Sequence, residues 1–277
     1  MTRLGRAFRR AKLHWRARRA RAEIAGRATQ GHPHGLARGL VVSLTSYPAR
    51  FDVLALTLAG LLRQSLRPDA VVLWLARGDV ARLPPEVTAL QAQGLQVRGC
   101  DDLRSYKKII PALAAFPGSL IVTADDDVYY WPTWLEELVR AHQSLSAPVV
   151  CHRGRRVALL ADGRPAPYAR WRKVTGRQAG PLILPTGVHG VLYDPGILHR
   201  DVADVALFQA LAPTSDDLWL YWMHRLSGSQ PVCLGLDHRV LEWPGGQVSR
   251  LQADNTAGDG NDRAIARLIA HYGFPAP

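Results

Sequence analysis

The chain has 277 residues and a mass of 30.5 kDa, long enough for one large domain with a buried core. Hydrophobic residues make up 47% and charged residues 21%, which excludes wholesale disorder, and three scattered cysteines without a CxxC pair exclude a disulfide framework and a thiolate zinc site. The net charge is +12 and the pI near 10.2, which taken alone points to an anionic partner.

That charge is not spread evenly. Residues 1–38 hold eleven basic side chains and one acid, Glu23, whereas the other 239 residues hold 24 basic and 22 acidic groups. Within this basic arm Leu4, Phe8, Ala11, Trp15 and Ala22 recur at helical spacing, with Leu13 and Ile24 on the opposite side. An Arg-rich helix carrying Phe and Trp on one face suits an anionic membrane surface. A solvated tail and an Arg-rich transit peptide are the alternatives. No apolar segment of signal-peptide type follows the basic stretch, and the most apolar run, 53–62, is too short to cross a bilayer. Residues 30–35, rich in Gly, His and Pro, read as a linker.

From residue 39 short β-branched runs alternate with helical stretches. Strands are expected at 40–44, 70–75, 95–100 and 119–124, and helices at 51–66, 84–93, 106–115 and 132–145. This alternation predicts βαβ units and a mainly parallel sheet. Beyond 147 the pattern is mixed. One or two strands fall in 147–160, a loop in 161–180, an apolar stretch around Gly187 and Gly190, and helices at 216–226 and 262–271. The expected architecture is a single α/β domain, 39–277, with a Rossmann-like half (39–146) and a mixed half (147–277).

Four segments can carry chemistry. Asp125, Asp126 and Asp127 follow the fourth strand, at the end of a parallel sheet where ligands bind. Adjacent carboxylates repel unless a cation neutralises them, so Asp125 and Asp127 are candidate ligands for Mg2+ or Mn2+ bridging substrate phosphates. The alternative is an acidic turn capping the next helix. Asp216 and Asp217 begin a helix and can supply a general base, although Thr214-Ser-Asp-Asp217 also fits a capping box. Lys107 and Lys108 follow the third strand and suit a diphosphate, with Asp102 beside them. His189 lies between Gly187 and Gly190 in an apolar stretch; it is a candidate substrate contact, though a lone histidine is more often structural. There is no GxGxxG, Walker loop, HExxH or GxSxG.

Taken together, Val41–Tyr47, Ser105–Ile110, Ala124–Tyr129, Pro185–Gly190 and Ser215–Asp217 resemble a family 2-type glycosyltransferase of the GT-A fold, in a bacterial polysaccharide-biosynthesis subgroup, over roughly residues 39–245. The resemblance implies transfer of a sugar from a nucleoside-diphosphate sugar, a UDP-sugar first among them, to a glycan or lipid-linked acceptor. It places Thr45 and Tyr47 beside the nucleotide base, with Asp102, Lys107, Lys108, Asp125 and Asp126 in the nucleotide-sugar set. The metal, Mn2+ or Mg2+, falls to Asp125 and Asp127. Asp217 becomes the catalytic base of an inverting reaction, and Asp216 and His189 contact the acceptor. The sequence departs from the family in carrying Asp-Asp where an Glu-Asp pair is usual, and Asp79 stands away from the end of the second strand. The implied setting is cytoplasmic and peripheral, on the inner face of the plasma membrane through residues 1–38. Two other readings are a metal-dependent nucleotidyl or phosphoryl transferase and a non-enzymatic nucleic-acid binder; the near-neutral body speaks against the second.

Overall fold

The structure is a computed structural model that describes residues 3–236, 238–246 and 259–275. Strands β1 (Leu40–Thr45), β2 (Ala70–Ala76), β3 (Leu95–Cys100) and β4 (Leu120–Ala124) lie in parallel in the order β3-β2-β1-β4, with Val42 opposite both Val71 and Val122. β1, β2 and β4 are almost wholly buried and mainly apolar because helices cover both faces of the sheet, whereas β3, at its edge, carries Gln96 and Arg98. On one face Leu40, Val42 and Leu44 pack with helices α2 (Phe51–Leu62) and α4 (Trp134–Leu145). On the other, Val41, Val72 and Trp74 meet Ala112 of α3 (Ile110–Ala115).

The sheet continues into the second half. β6 (Val191–Tyr193) runs antiparallel between β4 and β5 (Val149–Cys151), and β7 (Val232–Cys233) lies parallel to β5. Gln178–Ala179 closes that edge, and a separate three-stranded antiparallel sheet joins Gly154–Arg156, Ile183–Pro185 and Arg172–Lys173. One eight-stranded, mainly parallel sheet therefore runs through a mixed α/β domain, as the sequence implied. A second apolar core forms under helices α5 (Val205–Leu211), α6 (Asp216–Leu226) and α7 (Gly260–Tyr272), where Tyr106 stacks on Phe208 at 4.1 Å.

Several boundaries differ from expectation. The helix expected to reach 66 ends at Leu62, and Leu66–Arg67 pairs with His32–Pro33, so the expected linker is tied to the body. The helix expected at 106–115 opens as a 3-10 turn, Arg104–Lys108, because the α-helix proper starts with Pro111 in its first turn. The expected loop 161–180 contains two short strands and a 3-10 turn at Tyr168–Arg170.

The basic arm forms helix α1 (Arg3–Ala25), and its packing reverses the expected importance of its faces. Ala17, Ala20 and Ile24 are buried against Val53, Leu241 and Trp243, with Leu13 at the margin. Phe8 and Trp15 stay 71% and 56% exposed. Arg27 is held by both oxygens of Glu23, at 2.8 and 2.7 Å, and donates to the carbonyl of Tyr130. The arm's single acid therefore serves to fix its end to the body. The face carrying Ile24 docks, and the face carrying the aromatics does not. The side chain of Leu4 lies outside those described.

Candidate active site

A cavity of about 590 Å3 opens at the carboxyl ends of β1 and β4, the adjacent strands from which the chain proceeds in opposite directions across the sheet. The first half contributes Thr45, Tyr47, Asp102, Lys107, Lys108, Asp125, Asp126 and Asp127, and the second contributes Gly187, Asp216 and Asp217. Sequence positions 172 residues apart (45 and 217) thus share one wall-to-wall space.

The acidic turn is held from behind. The backbone N–H of Asp125 donates to the Tyr130 hydroxyl at 2.7 Å, and Tyr130 packs on Trp134. Asp126 is buried; it accepts from the Ser46 hydroxyl at 2.6 Å and from Arg50 Nη1 at 2.6 Å. Burial pushes its carboxyl up, while Arg50 and Ser46 pull it down. Its side chain therefore latches the acidic turn to the segment after β1. Arg50 also reaches Asp127 Oδ2 at 3.3 Å. Thr45 donates its hydroxyl to the carbonyl of Trp74 at 2.8 Å, and the Tyr47 ring lies under the Arg50 guanidinium.

Lys108 joins the two halves of the site. Its carbonyl accepts from the buried Ser43 hydroxyl at 2.6 Å, which fixes the backbone against β1. Its Nζ donates to Asp125 Oδ1 at 3.1 Å and lies 2.9 Å from Asp216 Oδ2. These carboxylates hold the ammonium charged against the opposing effect of burial. Lys107 turns the other way and pairs with Asp102 at the rim.

Asp216 and Asp217 occupy the first turn of α6. The expected capping box does not form. Ser215 is the N-cap, and its hydroxyl donates to Asn261 Oδ1 at 2.6 Å instead of to the helix. The Asp217 carboxylate accepts the Gly187 backbone N–H at 2.9 Å. Burial, with the charges of Asp216 and Asp125, raises Asp217 well above the ordinary carboxylate range, and Lys108 opposes them. The site thus holds a half-buried carboxylate poised to accept a proton near neutrality.

Metal fit can be judged from the donor set. Among the described residues no three His, Cys, Asp or Glu side chains converge into a cage. Mg2+ and Mn2+ sites that engage substrate phosphates usually need only one or two carboxylates, the rest being water and phosphate oxygen. Asp125 and Asp127 both line the cavity, and each has only one oxygen engaged by a neighbouring cation. Burial and the charges of Asp126, Asp125 and Glu242 push Asp127 up to about 7 despite Arg50. Negative charge exceeds what Arg50 offsets, so the pair fits a hard divalent ion.

His189 requires a correction. It is 2% exposed, does not line the cavity, and packs edge-on to Trp131 while its carbonyl accepts from Trp134 Nε1. Its backbone is left-handed, with φ at 71°, and burial drives its imidazole down to about 3. It shapes the turn between Gly187 and Gly190 and leaves the acceptor-binding set. Other residues reach the cavity without a motif to announce them. Ser46 falls inside a quoted segment and Arg50 three residues after it, but Arg153, Arg155, Tyr168 and Lys173 come from a stretch read as strand and loop, and Glu242 from between the last two expected helices.

No family model matches the chain, and no curated protein matches it. Among solved structures it is similar to a mannosyltransferase from Pyrobaculum calidifontis in complex with GDP-Man and Mn2+, at 16% identity and a TM-score of 0.34, over 50% of this chain and 41% of that one. It is similar to a UDP-glucose pyrophosphorylase complexed with UDP-glucose at 8% identity and a TM-score of 0.46, over 86% and 99% of the two chains. A 4-diphosphocytidyl-2C-methyl-D-erythritol synthase gives 15% identity and a TM-score of 0.48, over 85% and 100%. The chain spans less than half the length of the mannosyltransferase.

Proposed function

We propose that this chain transfers a glycosyl group from a nucleoside-diphosphate sugar, with a UDP-sugar the first donor to test, to a hydroxyl of a glycan or lipid-linked acceptor. The observation that carries this reading is the pairing, inside one cavity, of an acidic turn at the sheet end with a separate raised carboxylate, Asp217, across Lys108. A sugar hydroxyl must lose a proton as it attacks, and Asp217 is placed to take it. In nucleotidyl transfer to a phosphate the attacking oxygen is already ionised, and such a base would be idle.

The step balances as a single displacement. The acceptor oxygen bonds to the anomeric carbon while its proton passes to Asp217. The bond from that carbon to the diphosphate oxygen breaks, and the electron pair leaves with the diphosphate. In-line attack inverts the anomeric centre. Asp125 and Asp127 would hold the divalent ion, whose chemistry is Lewis-acid stabilisation of the departing diphosphate. Lys108 orients Asp125 and Asp216 and keeps positive charge between the donor and acceptor sides. Thr45 and Tyr47, at the end of β1, are assigned to the nucleotide base, and Lys107 with Asp102 to the donor side.

The same reading assigns α1 to an anionic membrane surface, since it docks by one face and leaves Phe8, Trp15 and several arginines outward. No helix among the described residues is long and apolar enough to cross a membrane. A screen of sugar nucleotides by calorimetry, with and without Mn2+, tests the donor assignment. Binding of one UDP- or GDP-sugar that strengthens with Mn2+ supports it, and no binding by any nucleotide sugar overturns it.

A further inference from the structure

The cations around the cavity fall into two groups. On the donor side the three cations that are buried or half-buried each face a carboxylate: Arg50 meets Asp126 and Asp127, Lys107 meets Asp102, and Lys108 meets Asp125 and Asp216. Arg104, which also lines the cavity, is exposed at the rim and forms no ion pair among the described residues. On the opposite wall Arg153, Arg155 and Lys173 line the same cavity, and among the described residues none of the three forms an ion pair. Arg155 and Lys173 stand directly opposite each other on antiparallel strands, a like-charged juxtaposition that costs stability unless something compensates it. Arg153 is half-buried two residues before Arg155.

From this asymmetry we infer that the acceptor is itself an anion: a carboxylate or phosphate group on it docks against Arg153, Arg155 and Lys173 while one of its hydroxyls faces Asp217. The inference rests on the transferase reading and names the acceptor class for it. An unpaired, partly desolvated guanidinium is costly to maintain, and an incoming anion recovers that cost with charge-assisted hydrogen bonds. Geometry supports the placement. Arg155 donates to the carbonyl of Trp171 at 2.8 Å and lies over the Tyr168 ring at 5.1 Å, so its guanidinium is held at the wall. The Tyr168 phenol is pushed up by burial and by Asp217, and held down by Arg155, which places the base and the basic wall within electrostatic reach of one ring. Burial and Arg155 both lower Arg153, and Glu242 opposes them without pairing with it. A neutral sugar could accept hydrogen bonds there but would not compensate the charge of three cations that form no ion pair. An acidic sugar, or a sugar phosphate, would.

Calorimetry of the full chain with methyl glucoside, methyl glucuronide and methyl glucoside 6-phosphate tests this without a donor. At least one anionic glycoside is expected to bind about tenfold or more tightly than the neutral one, and which of the two does so tells a carboxylate from a phosphate acceptor. Arg153→Gln should erase the preference and Arg153→Lys retain most of it. Lys173→Gln, at an exposed position, should weaken the preference even if Arg153→Gln folds poorly. Equal binding of neutral and anionic glycosides, no binding by either anionic one, or a preference untouched by both neutralising variants overturns the inference. Because no nucleotide sugar is present, that failure is distinct from failure of the transferase reading.

Discussion

The Gly187 backbone N–H donates to Asp217 Oδ1 at 2.9 Å, and a β-carbon at Gly187 would stand 3.1 Å from that oxygen and 3.0 Å from Lys108 Nζ. The absence of a side chain at Gly187 therefore lets the proposed base and the bridging ammonium approach one peptide from two sides. Gly187→Ala should push those side-chain ends back by a few tenths of an ångström and is expected to lower kcat by about tenfold, short of the roughly 10²-fold that follows a 1 Å displacement at a reacting centre. Donor affinity and melting temperature should change little, because the intrusion falls on side-chain ends. A matching fall in stability would mean that the glycine serves the fold instead.

The position of Asp217 makes a pH prediction. Its conjugate acid is held above the ordinary carboxylate range by burial and by Asp216, so protonation disables the base at a higher pH than usual. Activity should fall on acidification with an apparent pKa clearly above about 4, the unperturbed carboxylate value. Asp217→Asn should lower kcat by about 10²–10⁴-fold and leave donor binding intact. Full residual turnover in that variant would remove Asp217 as the base.

Asp125 and Asp127 should act differently from Asp126. Asp125→Asn and Asp127→Asn are expected to weaken Mn2+-dependent donor binding at least tenfold, on the order of 1.4 kcal/mol, with the fold preserved. Asp126 is buried between Ser46 and Arg50, so Arg50→Ala should destabilise the protein by about 3–5 kcal/mol through the uncompensated charge it leaves. Calorimetric titration and thermal melts separate the two classes. Unchanged affinity with and without Mn2+ in wild type would contradict the metal assignment.

The two faces of α1 give a further separation. Phe8→Ser with Trp15→Ser should reduce binding to phosphatidylglycerol vesicles without moving the melting temperature, since both side chains are exposed. Ile24→Ala should do the reverse, costing about 2–5 kcal/mol of stability for a buried residue. Vesicle co-sedimentation unaffected by the aromatic pair would contradict the membrane assignment.

The first half of the fold was legible because three of its strands are buried on both faces and read as mainly apolar runs, and the edge strand still alternates Leu95, Val97 and Gly99 with polar residues. The expected strand at 95–100 and helix at 216–226 coincide with the observed elements. The second half was not, because Val149–Cys151, Val191–Tyr193 and Val232–Cys233 are too short for any period to show. The acids of the site could be picked out since each stands beside another in sequence. Arg155 and Lys173 could not, because only antiparallel pairing across eighteen residues brings them together. The docking face of α1 was hidden for a related reason: small alanines, Ala17 and Ala20, allow close approach, whereas the larger aromatics dominate the helical pattern.

The central claim is the nature of the bond broken, and phosphorus NMR of the reaction mixture addresses it most directly. Incubated with the nucleotide sugar it binds, Mn2+ and an acceptor glycoside, the chain is predicted to release nucleoside diphosphate and to form a glycoside of inverted configuration. Nucleoside diphosphate should be lost from the products of Asp217→Asn. Release of pyrophosphate, or a nucleotidylated product with the sugar–phosphate bond intact, would contradict glycosyl transfer.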